Sequence, residues 1–427
     1  MNDFRVNGNV APGFESVKTL FAQQMGRLAE QHGQLCVYHR GEKVVDLWGS
    51  AGNSEGYSAD SMTTIFSSGK SMEAIAVGML FSQGLIDYDA KITQYWPEFG
   101  ANGKQDITVA DLMRHEGGLA NFDESLDAEN LFTENIKRNA VGKIIEQHLP
   151  SYPAHGKREY HSITRGWIVN ELFRRVEPTG RTLGEFIRDE ISQPLGADIV
   201  IGANDQVFQK RFPVKPLGFM YQLLQTFVPR FAGRKVLFNV VQLTKRMVPI
   251  ILAQLKNRKP KAASPFTNMR GIDYFNTDEY SKGETSSANT LASARGLAKA
   301  AAMMSAGGSL NSKQYLSASA WQAVHAKPVP ALMMATMRTR FTQGGVDQFL
   351  PCDSDSTILE RALNEGREGF YGWMGFGGSI YQWHPELDIG FAFVPTALHY
   401  LDLTNERGKC FQAEVLRCVE ALPSLDV

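Results

Sequence analysis

The chain has little sulfur for cross-linking: four cysteines in 427 residues. Cys36, Cys352, Cys410 and Cys418 form no C-x-x-C pair, and none lies near a histidine at zinc-ligand spacing. A disulfide scaffold is therefore not expected, nor is a metal or any other cofactor. Cys410 and Cys418 fall on an expected C-terminal helix and read as core thiols. There is no uncharged apolar run of about 18 residues, so a membrane-spanning helix is not expected either. The opening MNDFRVNGNVAPGF has no basic start followed by an apolar stretch, and the ending SLDV carries no obvious address. The expectation is a reducing, cytoplasmic setting. Apolar content of 43% and charged content of 21% exclude a disordered or fibrous chain. A net charge of −1 excludes nucleic-acid binding by bulk electrostatics.

One further absence is local. From Gln206 to Ile272 there is no aspartate or glutamate, while 13 lysines and arginines occur. The near-zero total is thus a +13 segment set against a −14 body. The same segment is apolar, with PLGFMYQLLQTFVP (216–229) and VLFNVVQLTKRMVPIILAQL (236–255) as its two cores. In the second, Val236, Leu237, Val240, Leu243, Met247, Ile251 and Leu255 recur at helical spacing, and Pro249 should kink the helix. Two readings stand open. One is a lid whose apolar face packs over a pocket. The other is a peripheral membrane contact, with apolar side chains dipping into lipid and cations meeting anionic head groups.

What is present elsewhere points to an α+β fold. Residues 15–32 have helical spacing. QLCVYHR and VVDLWG flank a turn at Gly41-Glu42-Lys43, a hairpin signal, and SIYQW and IGFAFVPT flank another at His384-Pro385-Glu386. A last helix is expected at about 404–421. Strands near both ends with helices between them predict an antiparallel sheet built from both termini. Residues 1–66 and 286–427 would form that sheet domain. Residues 67–285 would form a mostly helical lobe that includes 206–272.

The chemistry sits in three stretches. TIFSSGKSMEAIAVGML (64–80) places Met72, Ile75, Ala76, Met79 and Leu80 on one helical face. Ser67 then starts the helix, and Lys70 is its neighbour one turn on. A serine hydroxyl needs a base, and a lysine can serve if burial lowers its pKa. The helix N-terminus supplies N–H groups where an oxyanion would form. Ser-x-x-Lys alone is a weak signal. YHSITRGWIVN (160–170) adds Tyr160-His161-Ser162 at a helix start, and YGWMGFGGSIYQW (371–383) adds a glycine-rich approach to a strand.

In this order the three stretches resemble the class C β-lactamases, and more closely the family VIII carboxylesterases of the same fold. DLMRHEGGL (111–119), YHSITRGWIVNELFRRV (160–176) and SSANTLASARGLAKAAAMMSAGG (286–308) extend the resemblance, and 206–272 lies outside it. The resemblance implies Ser67 as acylated nucleophile, with Lys70 and Tyr160 sharing the proton work. It implies an oxyanion hole from the backbone N–H groups of Ser67 and Phe376. Ser162, Trp373 and Gly375 fall at substrate-binding positions. Trp373-Met374-Gly375 stands where the lactamases carry Lys-Thr-Gly, a motif absent from this chain. Tryptophan brings an apolar face and one donor but no charge. Recognition of a carboxylate should weaken, and a neutral, hydrophobic acyl ester should be favoured as the small-molecule substrate.

Gly52-Asn53-Ser54-Glu55-Gly56 matches the nucleophile elbow of another hydrolase fold, but polar, loop-like YSADSMTT follows where an apolar helix is needed. Ser54 reads as a turn residue. His115, His155, His161, Asp111 and Arg114 read as structural. The leading expectation is a serine carboxylesterase working through an acyl-enzyme. The alternatives are an amidase, D-peptidase or weak β-lactamase on the same site, or a non-catalytic scaffold of the same fold.

Overall fold

The computed structural model describes residues 4–52, 56–155, 157–256, 262–333 and 336–423. Ser54, the basic residues Arg258, Lys259 and Lys261, and the terminal SLDV lie outside the described residues.

Nine strands form one antiparallel sheet: β1 (Phe4–Val10), β2 (His32–His39), β3 (Glu42–Ala51), β4 (Val329–Met333), β5 (Met337–Phe341), β6 (Asp347–Gln348), β7 (Tyr371–Met374), β8 (Ile380–His384) and β9 (Ile389–Pro395). Their spatial order is β1-β3-β2-β9-β8-β7-β6-β5-β4. The two ends of the chain meet where β9 pairs with β2, Phe391 opposite Val37 and Ala392 opposite Cys36. The β2–β3 hairpin closes on Arg40 and Gly41, with φ of 51° and 77°. Two successive positive φ values are the turn whose twist matches that of the strands. The turn is therefore one residue earlier and shorter than Gly41-Glu42-Lys43.

The sheet is covered on both sides, so its central strands are apolar throughout. Leu35, Val37, Phe391 and Phe393 join one core, while Cys36, Ala392 and Val394 join the other. This is the two-residue period of a strand with two buried faces. Helices α1 (Glu15–Arg27) and α7 (Glu406–Ala421) cover the first face, where the rings of Phe21 and Phe411 lie 5.6 Å apart. Helix α6 (Ala294–Ser305) covers the second, so closely that a Cβ on Gly390 would come 2.4 Å from Ala302 N. Between them lie α2 (Lys70–Ser82), α3 (Thr164–Val176), α4 (Phe219–Gln225) and α5 (Val240–Lys256).

Four expectations are corrected. Helix α1 stops at Arg27, because Leu28 turns extended (ψ 169°) and the chain enters β2 at His32. Tyr160 precedes α3 rather than starting it. Its stretch is held outside the helix by a backbone bond from Glu159 N to His115 O and by His161 N–H, which donates to the His115 ring at Nδ1. The glycine-rich stretch is a turn between two strands, since Tyr371–Met374 is already β7. Helix α5 contains Pro249 and runs on past it, and its inward residues are Leu243 and Ile250, with Ile251 and Leu255 exposed. The four cysteines are free thiols, with Cys418 buried and Cys410 half-buried.

Arg407 ties these layers together. From α7 it pairs with buried Glu30 and donates to the carbonyls of Gly377 and Ala397. A buried ion that loses its partner costs about 3–5 kcal/mol. Arg407→Met should therefore lower the unfolding free energy by about that much, measured by urea denaturation.

Candidate active site

Ser67 lies in a single tight turn, Phe66–Gly69, that runs directly into α2. The residue before it, Phe66, has φ of 48°, a backbone strain of the kind that packed surroundings must hold in place. A Cβ on Gly69 would meet Ser286 O at 2.3 Å, so only glycine allows the approach of the Ser286–Asn289 turn. From the other side, the Ser68 and Ser379 hydroxyls are 2.9 Å apart, Ser379 donates to Ile65 O at 2.6 Å, and Trp373 N donates to Ser71 Oγ at 3.1 Å. These bonds clamp the β7–β8 turn onto the start of α2. Gly375 makes the closest approach, for its Cβ would stand 2.1 Å from Ile65 O.

Lys70 is wholly buried. Its Nζ stands 3.3 Å from Ser67 Oγ and donates to Ser162 O at 2.6 Å and Ser287 O at 3.1 Å. Burial drives its pKa well below the usual lysine value; nearby Glu73 opposes this and Arg165 adds to it. A neutral amine has two N–H donors and one lone pair. The two carbonyls take the donors, which leaves the lone pair for the Ser67 hydroxyl.

Tyr160 completes the group. The Lys70 ammonium position lies 5.0 Å from its ring centre, and its hydroxyl bonds both Ser67 and the indole N–H of Trp373, the latter at 2.8 Å. Burial pushes its pKa up to about 12, while the bonds to Ser67 and Trp373 pull it down. Because indole only donates, the Tyr160 oxygen accepts there. Its own proton is free to turn toward Ser67.

Ser67 and Tyr160 line a cavity of about 270 Å³ with Ile250, Met333, Met337, Leu359, Trp373, Met374, Gly375 and Phe376. The polar groups in its wall are engaged elsewhere. Asp402 accepts the N–H groups of Glu406 and Arg407 at 2.8 and 3.0 Å. Asn405 donates to Gly375 O and Ser379 O at 2.9 and 2.8 Å. No lysine or arginine is among the residues lining the cavity.

The structure thus gathers Ser67, Lys70, Tyr160, Trp373, Gly375 and Phe376 in one place. Ser162 differs: its side chain is exposed and outside the cavity wall, and it is the backbone carbonyl that meets Lys70. His161 is consumed by structure, accepting Leu119 N–H at 3.0 Å and lying 2.6 Å from Glu159 O, with its pKa driven down to about 3 by burial. Sequence reasoning missed Glu73. This fully buried carboxylate accepts from Arg165 Nε at 2.8 Å, Ser286 Oγ at 2.8 Å and Ser287 Oγ at 2.7 Å. Arg165 in turn donates to Lys70 O at 2.9 Å. The signal was there as an acid one turn beyond Lys70 on an otherwise apolar helix. Among the described residues, His, Cys, Asp and Glu form no group of three placed to hold a metal.

With this geometry, comparison with known proteins is informative. Residues 17–209 match the model of the beta-lactamase family. That match covers less than half of the chain. The Esterase/beta-lactamase LipL of Mycobacterium tuberculosis (strain ATCC 25618 / H37Rv) is 35% identical over 201 residues, which is 45% of this chain and 44% of LipL. The chain thus matches less than half the length of that relative. A family VIII carboxylesterase superposes with a TM-score of 0.75 at 22% identity, covering 97% of this chain and 100% of that one. A penicillin-binding protein homologue from Caulobacter crescentus gives 0.74 at 22%, with the same coverage. The fold is β-lactamase-like over nearly the whole chain, with the strained turn at Ser67 inside the matched domain.

Glu73→Gln should leave Arg165 buried without its counter-charge and cost about 3–5 kcal/mol in urea unfolding. It also removes the one group that holds the Lys70 pKa up. The acid limb of Ser67 labelling by a fluorophosphonate probe should therefore move to lower pH.

Proposed function

We propose that the chain is a serine hydrolase that cleaves neutral, hydrophobic carboxylic esters through an acyl-enzyme on Ser67. The observation that carries this reading is the buried Lys70 amine, whose donors are spent on two carbonyls while Ser67 Oγ lies beside it. A serine between an amine of lowered pKa and a tyrosine hydroxyl meets the requirement for an activated nucleophile.

In the proposed reaction Ser67 Oγ attacks the ester carbonyl as its proton passes to the neutral Lys70 amine, directly or by way of the Tyr160 hydroxyl, which then hands its own proton on to Lys70. The backbone N–H groups of Ser67 and Phe376 would receive the developing oxyanion. Tyr160 then protonates the leaving alcohol, and water enters by the reverse relay to release the acid. Trp373 steadies the Tyr160 oxygen with its indole N–H, so the phenol can part with its proton without a cation at this position. The absence of lysine and arginine from the cavity wall argues for an uncharged acyl group and against a substrate carboxylate. The similarity to an esterase/beta-lactamase and to a family VIII carboxylesterase supports the same substrate class.

Ser67→Ala should reduce p-nitrophenyl butyrate turnover to background, a loss of roughly 10³-fold or more, with the melting temperature kept. Turnover unchanged in that variant would sink the assignment. Nitrocefin and a D-alanyl peptide run beside it should be hydrolysed far more slowly than the ester, and a faster rate on either would move the reading to lactam or amide chemistry.

Trp373→Phe keeps an apolar wall but removes the donor to Tyr160. It should lower kcat about 10–100-fold, the scale of a disturbed acid–base group, with KM nearly unchanged. Loss confined to KM would mean that Trp373 acts only as pocket wall.

A further inference from the structure

Within the segment 216–256, one helix is folded inside out. Helix α4 buries its polar residues: Gln222 Nε2 donates to Leu217 O at 2.8 Å, Gln222 Oε1 accepts Leu401 N–H at 3.4 Å, and Thr226 just beyond the helix is buried too. Its apolar residues face out, with Phe219, Met220 and Leu224 exposed; Leu224 is 62% exposed and Phe227, just after, 63%. Phe231 stands at 95% exposure between Arg230 and Arg234. Helix α5 is apolar on both sides. Leu243 and Ile250 are buried, and Ile250 lines the cavity that holds Ser67. The opposite side carries Val241, Val248, Leu252 and Leu255, spaced as one helical stripe and all exposed. Lys245 and Lys256 fall at the edge of that stripe and are exposed as well.

So many exposed apolar side chains in one segment mark an interaction surface, and the charge of the segment says of what kind. The surrounding chain from 206 to 272 contributes only cations. A second copy docking the same patch by two-fold symmetry would set those cations against each other. An anionic lipid surface complements both features at once, since apolar side chains enter the acyl boundary while lysine and arginine meet the phosphates. No helix among the described residues is long and apolar enough to cross a membrane, so the contact is peripheral. We infer that α4, the Phe227–Phe231 turn and the outer face of α5 form a docking surface for anionic membranes. That this surface would deliver lipid-like esters to the cavity behind Ile250 rests on the esterase reading; the docking itself does not.

The test is co-sedimentation of the full chain with phosphatidylcholine vesicles, with and without phosphatidylglycerol. The wild type should bind the phosphatidylglycerol vesicles and come off at raised salt. The double variants Leu224→Ser/Phe227→Ser and Lys245→Glu/Lys256→Glu should each bind about tenfold more weakly or worse. Both should keep their melting temperature and their turnover of p-nitrophenyl butyrate in vesicle-free buffer. Ser67→Ala should bind as the wild type does; a wild type that binds vesicles but does not turn over p-nitrophenyl butyrate would tell against the esterase reading and not this one. Failure of the wild type to bind, equal binding by the variants, or equal binding without phosphatidylglycerol would overturn the proposal. So would self-association in vesicle-free buffer that the Leu224→Ser/Phe227→Ser change abolishes, which would make the face a protein interface.

Discussion

The site depends on keeping the Lys70 amine out of water. A buried lysine is costly to charge, and much of the helical region is arranged so that it need not be. Gly69 and Gly166 leave no side chain between α2, α3 and the Ser286–Asn289 turn; a Cβ on Gly166 would lie 2.7 Å from Ser287 N. That closeness brings the Ser287 carbonyl to the amine, while the stretch before α3 brings the Ser162 carbonyl. Glu73 and Arg165 then cross-brace the three pieces one turn deeper. The ion pair sits near enough to influence Lys70 but does not touch its Nζ, so it fixes position without supplying a full counter-charge.

The tyrosine is tuned by a different device. Its partner is the Trp373 indole, a neutral donor of fixed direction. A cation there would lower the phenol pKa more strongly and would also attract a substrate carboxylate. The indole has a weaker effect on Tyr160 and brings no cation to the cavity wall. On the proposed reading, substrate preference and the acidity of Tyr160 are coupled through one side chain, so that a change at Trp373 would alter both together.

Much of this was legible in the sequence, and the limits have physical causes. The Ser67–Lys70 contact follows from helical geometry, so spacing alone predicts it. The hairpins followed from turn residues between alternating strands, although the positive φ at Arg40, a residue with no special claim to it, shifted the first turn. The fold class was readable because both sheet faces are buried and the strands are correspondingly apolar. The Tyr160 stretch was misread as a helix start because His115, 45 positions earlier, bonds its backbone and holds it outside the helix. The Glu73 network was missed because its partners lie 92 to 214 residues away, and nothing local marks a carboxylate as their meeting point. For Ser162 the contact to Lys70 carries no sequence signal, since it is made by a carbonyl that every residue has.

The insertion shows where pattern reading ends. A period of 3.6 apolar residues says that a helix has an apolar face, not which way the face points. In α5 the residues recurring at helical spacing are divided between the interior and solvent, so Leu243 is buried while Ile251 is exposed. In α4 a pattern reading would have turned Phe219 and Leu224 inward, yet Gln222 and Thr226 take the buried positions. Such an inversion leaves apolar surface in water, and nothing within the described chain offsets that. The lid and the membrane element were posed as alternatives, but α5 serves as wall on one side and is apolar on the other. The two readings describe two faces of the same helix.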